Sequence, residues 1–212
     1  MARWLDDHRR AGKIRFLGVT NFDVARLREL RDAGIPIASH QVQYSVIDRR
    51  PASAMTDYCR AHSIPLLCYG GAAGGFLSDR YLGQPEPSMP LDNRSLTKYR
   101  LIIDEYGGWE PFQALLGALA AVARIHDATI TSVALRWVLD QSQVAGVIVG
   151  ARHARHLDDL RRVPALRLTG ADTQRIGEVV ARSTGPAGDV YDLERVKGGP
   201  HAAAMRYTLN AG

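Results

Sequence analysis

The chain has 212 residues, 46% hydrophobic and 23% charged, which bounds it to one ordinary globular domain or a part of a larger one. The net charge of +5 is carried by scattered lysines and arginines, so the composition argues against nucleic-acid binding and suits a small anionic ligand. No apolar run approaches a membrane span and no signal peptide follows Met1, while Cys59 and Cys68 form no CxxC pair; the expectation is a cytoplasmic chain with reduced thiols and no membrane partner.

Residues 2–11 suit a short amphipathic helix, with Trp4, Leu5 and His8 on one side and Gly12 ending it. Ile14, Phe16, Leu17 and Val19 predict a buried strand that ends at Thr20. Asp23 is the expected N-cap of a helix over about 23–33 carrying Val24, Leu27 and Leu30, which stops at Gly34. Residues 35–42 supply a second strand, with Gln41-Val42-Gln43-Tyr44-Ser45 at its carboxyl end. A helix over about 51–62 follows, with Pro51 in its first turn and Met55, Tyr58, Cys59 and His62 at helical spacing. Residues 65–69 form the third strand.

A Gly70–Gly75 run then opens a long irregular stretch to about residue 110, of a length that is usually functional or disordered. Helical spacing returns over 111–125, and Thr131 and Ser132 open another helix buried along Ala134, Leu135, Val138 and Leu139. Residues 147–150 are the fourth strand, and 153–162 read as a helix with Leu157 and Leu160 inward. Thr169 and Asp172 form a variant capping box for a last helix with Ile176, Val179 and Val180, stopped by Gly185-Pro186. Residues 1–184 thus make one unit, and 185–212 a tail packing on or near it.

Apolar strands alternating with helices argue an α/β fold with a parallel sheet. Ligands bind at the carboxyl ends of such strands, so Thr20 and Asn21 point at a site, with simple capping as the even alternative. No GxGxxG follows a strand, which disfavours a Rossmann site, and Ala72-Ala73-Gly74-Gly75 lacks the lysine of a P-loop. The histidines form no HExxH. His153 and His156 lie among arginines and read as solvated helix residues, so no metal site is expected.

Four stretches, in this order and spacing, resemble the aldo-keto reductase family. They are Gly12-Lys13-Ile14-Arg15 through Gly18-Val19-Thr20-Asn21-Phe22; Gln41-Val42-Gln43-Tyr44-Ser45; Cys68-Tyr69-Gly70 with Gly74-Gly75-Phe76-Leu77; and Val147-Ile148-Val149-Gly150-Ala151-Arg152. The resemblance implies a TIM-type (β/α) barrel of eight strands that reduces carbonyls with NADPH. Only the second half of that barrel, strands five to eight, is matched.

By resemblance, Thr20 and Asn21 hold the nicotinamide carboxamide with Gln41 assisting, and Tyr69 stacks on the nicotinamide ring. Gly70, Ala72 and Gly74 let the backbone approach the pyrophosphate. Gly150, Ala151 and Arg152 form the phosphate pocket, where some family members carry a lysine at the position of Gly150. His156 and Asp159 fall at the adenosine end. The chemistry agrees: aromatic faces stack on flat rings, side-chain amides match a carboxamide, and a helix N-terminus with an arginine attracts phosphate.

The family's catalytic Asp, Tyr, Lys and His come from the half that is not matched. No catalytic residue is therefore assigned, and Tyr44, Lys13 and His40 stand in no matching motif. Four parallel strands also leave open edges and an apolar face, which implies a homo-oligomer or a complementing N-terminal half as partner. The implied function is the cofactor-binding half of an NADPH-dependent aldo-keto reductase, acting on a small-molecule carbonyl substrate once completed. The alternative is a non-catalytic nucleotide-binding or scaffold half-barrel, working as a dimer or with a partner chain.

Overall fold

A computed structural model describes residues 1–150 and 154–205. Helix α1 (Ala2–Arg10) leads to β1 (Gly18–Thr20), α2 (Val24–Asp32), β2 (Ser39–Gln43), α3 (Ala54–Ala61) and β3 (Leu66–Tyr69). Three helices follow, α4 (Arg94–Tyr106), α5 (Trp109–Ile125) and α6 (Ile130–Leu139), before β4 (Val144–Ile148). After β4 come α7 (Leu157–Arg162), α8 (Gly170–Val180), α9 (Asp192–Arg195) and α10 (Pro200–Met205). The four strands form one parallel sheet in the order β1-β2-β3-β4. Each parallel neighbour is reached through a helical crossover, as parallel pairing requires.

The register sorts the strand side chains onto two faces. Val19, His40 and Leu66 stand side by side, as do Val42, Cys68 and Val147. On this face His40, Val42, Leu66 and Cys68 are fully buried. Thr20, Gln41 and Leu67 share the other face, with Gln43, Tyr69 and Ile148. Here Thr20 is exposed, Gln41 and Tyr69 are half-buried, and Ile148 is 44% exposed. Parallel sheets are usually covered on both faces, so the second face is the one that a ligand or another folded segment can reach.

Local signals place several boundaries. The Asp23 carboxylate accepts the Arg26 N–H at 2.8 Å, as its N-cap reading predicts. Thr169 and Asp172 form a reciprocal capping box on α8. Other expectations are corrected. The first strand covers Gly18–Thr20 and leaves Ile14, Arg15, Phe16 and Leu17 outside it, with Phe16 75% exposed. The second begins at Ser39, because neither Ile35 nor Pro36 joins the ladder and Pro has no N–H to give. The fourth spans Val144–Ile148, earlier than 147–150. The N-cap of α6 is Thr129, whose hydroxyl accepts the Ser132 N–H, so the helix starts before Thr131.

The irregular stretch holds helix α4. Asn93 caps it by accepting the Leu96 N–H, and Gly107 at φ 122° ends it. Lys98, Tyr99, Ile102, Ile103 and Tyr106 are its buried stripe. The tail also folds: Val190, Tyr191, Glu194 and His201 are buried. Among the described residues no single helix is long and apolar enough to cross a membrane, and both cysteines are buried free thiols.

One ion cluster joins the tail to the sheet. Arg50 donates twice to Asp48, at 2.9 and 2.7 Å, and twice to Glu194, at 2.8 and 2.9 Å. Burial disfavours the Arg50 charge, but the two carboxylates hold its pKa above the usual value. Burial likewise pushes the Glu194 carboxyl up, and Arg50 overrules it, leaving it below the usual range. Removing Glu194 leaves the Arg50 Nη1 donor buried and unmet, although Asp48 still balances the charge. Glu194→Ala is therefore expected to cost about 1–3 kcal/mol in urea denaturation. Adding Arg50→Met is expected to deepen the loss, because it leaves the buried Asp48 carboxylate without its counter-ion. A loss no larger than that of a surface substitution would refute this role.

Candidate functional site

The carboxyl ends of β1 and β3 bring Thr20, Asn21 and Tyr69 together, and Gln41, in the middle of β2, joins them through its backbone carbonyl. Thr20 pairs with Gln41 in the ladder, and its hydroxyl donates to the Gln41 carbonyl at 3.2 Å. The Asn21 N–H donates to the same carbonyl at 3.0 Å. The Tyr69 hydroxyl donates to Asn21 Oδ1 at 2.8 Å. Asn21 turns the chain off the strand at φ 57°, a left-handed conformation that Asn tolerates better than most residues. Arg195 of α9 donates to the Asn21 carbonyl and pairs with Asp23, so the tail braces this turn.

Helix α4 covers the next part of the rim. Lys98 Nζ lies 4.9 Å from the Tyr69 ring centre and 5.2 Å from that of Tyr99. Burial holds the Lys98 amine below the usual lysine range and the Tyr69 phenol above its own. The Tyr99 ring fills the space over the glycine turn. A Cβ at Gly70 would lie 2.6 Å from Tyr99 Oη, and one at Gly74 would lie 2.7 Å from Tyr99 Cδ2. Gly70 and Gly74 also sit at φ 77° and 66°, so backbone conformation and Tyr99 together account for both glycines. Ala72 lies between them, and its carbonyl accepts the Gly75 N–H at 2.9 Å.

Of the remaining residues of the expected pocket, Gly150, His156 and Asp159 are described, and none makes a recorded contact with this cluster. Gly150 is exposed and has open space beside it. Ala151 and Arg152 lie outside the described residues, as does His153. His156 is exposed just before α7, and Asp159 on α7 lines a separate cavity with His126, Ser132, Arg162 and Arg167. No cluster of potential metal ligands occurs among the described residues.

The residues that sequence reading missed are Gln43, Asp48, Arg50, Lys98 and Glu194. Gln43 is 3% exposed; its amide donates to Asp48 at 2.7 Å while its Oε1 is left without a partner. The spacing of Lys98, Tyr99, Ile102 and Ile103 between Asn93 and Gly107 was a readable helix signal. Nothing local marks Glu194.

The Aldo/keto reductase family matches residues 1–181, and the chain belongs to that family. Family members generally bind nicotinamide cofactors. The chain is 37% identical over 131 residues to flagellar radial spoke protein 5 of Chlamydomonas reinhardtii, covering 60% of this chain and 25% of that protein. It is 30% identical over 153 residues to the chloroplastic pyridoxal reductase of Arabidopsis thaliana, covering 70% of this chain and 39% of that one. The glycerol dehydrogenase of Gluconobacter oxydans shares the fold, with a TM-score of 0.74 at 24% identity, over 89% of this chain and 55% of that one. The chain thus spans a quarter to about half of the length of these proteins.

His40 supplies a test of the buried side of the site. Its Nε2 accepts the Phe22 N–H at 3.2 Å, which requires a neutral ring. Burial pushes its pKa from 6.5 down to about 4. The unfolded chain therefore takes up this proton first as pH falls, so stability from neutral His40 is complete above pH 6.5 and is lost towards pH 4. The loss is expected to reach about 3 kcal/mol, read as a falling urea midpoint that is flatter in His40→Gln. A parallel pH dependence in both proteins would refute the assignment.

Proposed function

We propose that this chain carries the NADP(H)-binding side of a carbonyl reductase. The observation that carries the reading is the meeting of Thr20, Asn21 and Tyr69 at the ends of β1 and β3, with Gln41 beside Thr20 on the same face of β2. These side chains supply a flat aromatic surface beside amides that can match a carboxamide. Arg152, with Gly150 and Ala151, supplies the phosphate end, and His156 and Asp159 the adenosine end. When bound, the cofactor supplies hydride to a carbonyl carbon. The chain's residues hold and orient it, and the open face of the sheet leaves room for a carbonyl compound. Dependence on NADP(H) is supported by family membership and by Arg152, since a guanidinium favours an extra phosphate.

We further read residues 1–184 as strands five to eight of an eight-stranded barrel. The half-exposed face of the sheet and the outer edges of β1 and β4, which pair with no strand among the described residues, support this reading. Another copy, or a segment supplying the other four strands, would cover them. The second reading, a nucleotide-binding scaffold, is favoured by the similarity to a protein named for the flagellar radial spoke.

Calorimetric titration decides between them. NADP⁺ is expected to bind weakly, with NAD⁺ weaker still, and Arg152→Ala is expected to cost more affinity than Tyr69→Ala. Charged contacts to phosphate are worth about 1.5–3 kcal/mol each, against roughly 0.5–1.5 for an aromatic stack. No NADP⁺ binding by a folded sample, or binding indifferent to Arg152, favours the scaffold. The chain alone is expected to reduce simple aldehydes far below the rate of a complete reductase, because general acid catalysis is worth roughly 10²–10⁴-fold and no proton donor is assigned here. Turnover that survives Tyr44→Phe and Tyr69→Phe would show that another acid exists. Light scattering is expected to show association beyond a monomer, and a compact monomer that binds no hydrophobic dye would count against the half-barrel.

A further inference from the structure

The sequence holds three lysines, Lys13, Lys98 and Lys197. Lys13 and Lys197 are exposed, while Lys98 is 9% exposed. A lysine packed this closely usually ends on a carboxylate or a carbonyl oxygen. Lys98 makes no hydrogen bond and no ion pair among the described residues. Its Nζ is nevertheless not enclosed, so the stem is buried while the amine keeps access to solvent.

The charged groups that act on this amine are Asp48 and Arg50, from the turn after β2, and Glu194, from α9. Arg50 holds both carboxylates in direct hydrogen bonds. The amine lies instead 4.9 Å from the ring centre of Tyr69 and 5.2 Å from that of Tyr99. A ring face holds an ammonium less firmly than a carboxylate hydrogen bond does. Burial disfavours the charged amine; Glu194 and Asp48 oppose this and Arg50 adds to it, leaving Lys98 below the usual lysine range. Only the neutral amine has a free lone pair, and a desolvated lysine is the form that attacks carbonyl carbons.

The position suits a ligand. Tyr69 is the last residue of β3, and ligands reach a parallel α/β sheet at the carboxyl ends of its strands. An accessible amine without a polar partner thus stands at a strand end, with two aromatic rings beside it.

We propose that Lys98 captures aldehydes covalently, as an imine on its Nζ at the carboxyl end of β3. The neutral amine adds to the carbonyl carbon, a C–N bond forms, and the carbonyl oxygen takes up a proton from the nitrogen. The carbinolamine then loses water as its C–O bond breaks and C=N forms. One amine and one aldehyde give one imine and one water, and nothing is oxidised or reduced. The rings of Tyr69 and Tyr99 crowd the amine, which favours an aldehyde over a bulkier ketone. The step uses no dinucleotide, so it stands apart from the NADP(H) reading above.

Reductive trapping on the full wild-type chain tests this. The chain is incubated near neutral pH with benzaldehyde and cyanoborohydride, which reduces an imine to a stable secondary amine, and the benzyl group is located by peptide mass spectrometry. Lys98 is expected to be modified about 10-fold faster or more than Lys13 and Lys197, since rate follows the neutral fraction of each amine. Raising the pH is expected to level the Lys98 rate before the other two, because the amine with the lower pKa becomes fully neutral first. In urea the preference is expected to vanish. Equal rates at the three lysines, or modification that spares Lys98, overturns the inference. So does a preference that persists in urea, where the packing around Lys98 is lost. The wild-type chain is itself the reporter, so no variant has to fold, and the outcome leaves the cofactor reading to calorimetry.

Discussion

The Arg50 guanidinium, held between Asp48 and Glu194, is the contact on which the rim of the sheet depends. A buried guanidinium is stable only with its donors met and its charge balanced. Glu194 meets half of that demand from the tail, and its helix α9 also brings Arg195 to the Asn21 carbonyl. Asp48 meets the other half and engages the Gln43 amide. One ion cluster therefore sets the β1 and β2 strand ends against the tail. The desolvation cost makes it a weak source of net stability but a strict positional constraint, since misplacing any member leaves a buried charge unpaired.

The parallel sheet explains why the candidate site lies where it does. Side chains alternate between faces, and one face is filled by His40, Val42, Leu66 and Cys68 against the helices. The other face and the strand ends hold the polar and aromatic groups. The left-handed turn at Asn21 aims its carboxamide oxygen at Tyr69, and the glycine turn after β3 makes room for Tyr99. Tyr99 and Lys98 are neighbours on α4, so the element that closes the glycine turn also places a cation over the ring of Tyr69. Fold and electrostatics of the rim are coupled through that single helix.

What the sequence determined by itself was local. Asp23 and Thr169 cap their helices because a side-chain oxygen needs only to reach an N–H three residues on. The alternation of strands and helices and the motif around Thr20, Asn21, Gln41 and Tyr69 were legible for the same reason: each is a short pattern. Helix α4 was legible in principle from Asn93, Gly107 and the apolar spacing between them, but the prolines and glycines before it masked the signal. Tertiary structure decided the rest. Glu194 is 144 residues from Arg50, and nothing near either residue announces the other. Lys98 reads as an ordinary charged helix residue until packing sets it over the rings of Tyr69 and Tyr99. Phe16 reads as a core strand residue, yet it stands in solvent because no strand pairs there. Local pattern sets which element forms; burial and charge balance are properties of groups distant in the chain, and only the folded arrangement brings those groups together.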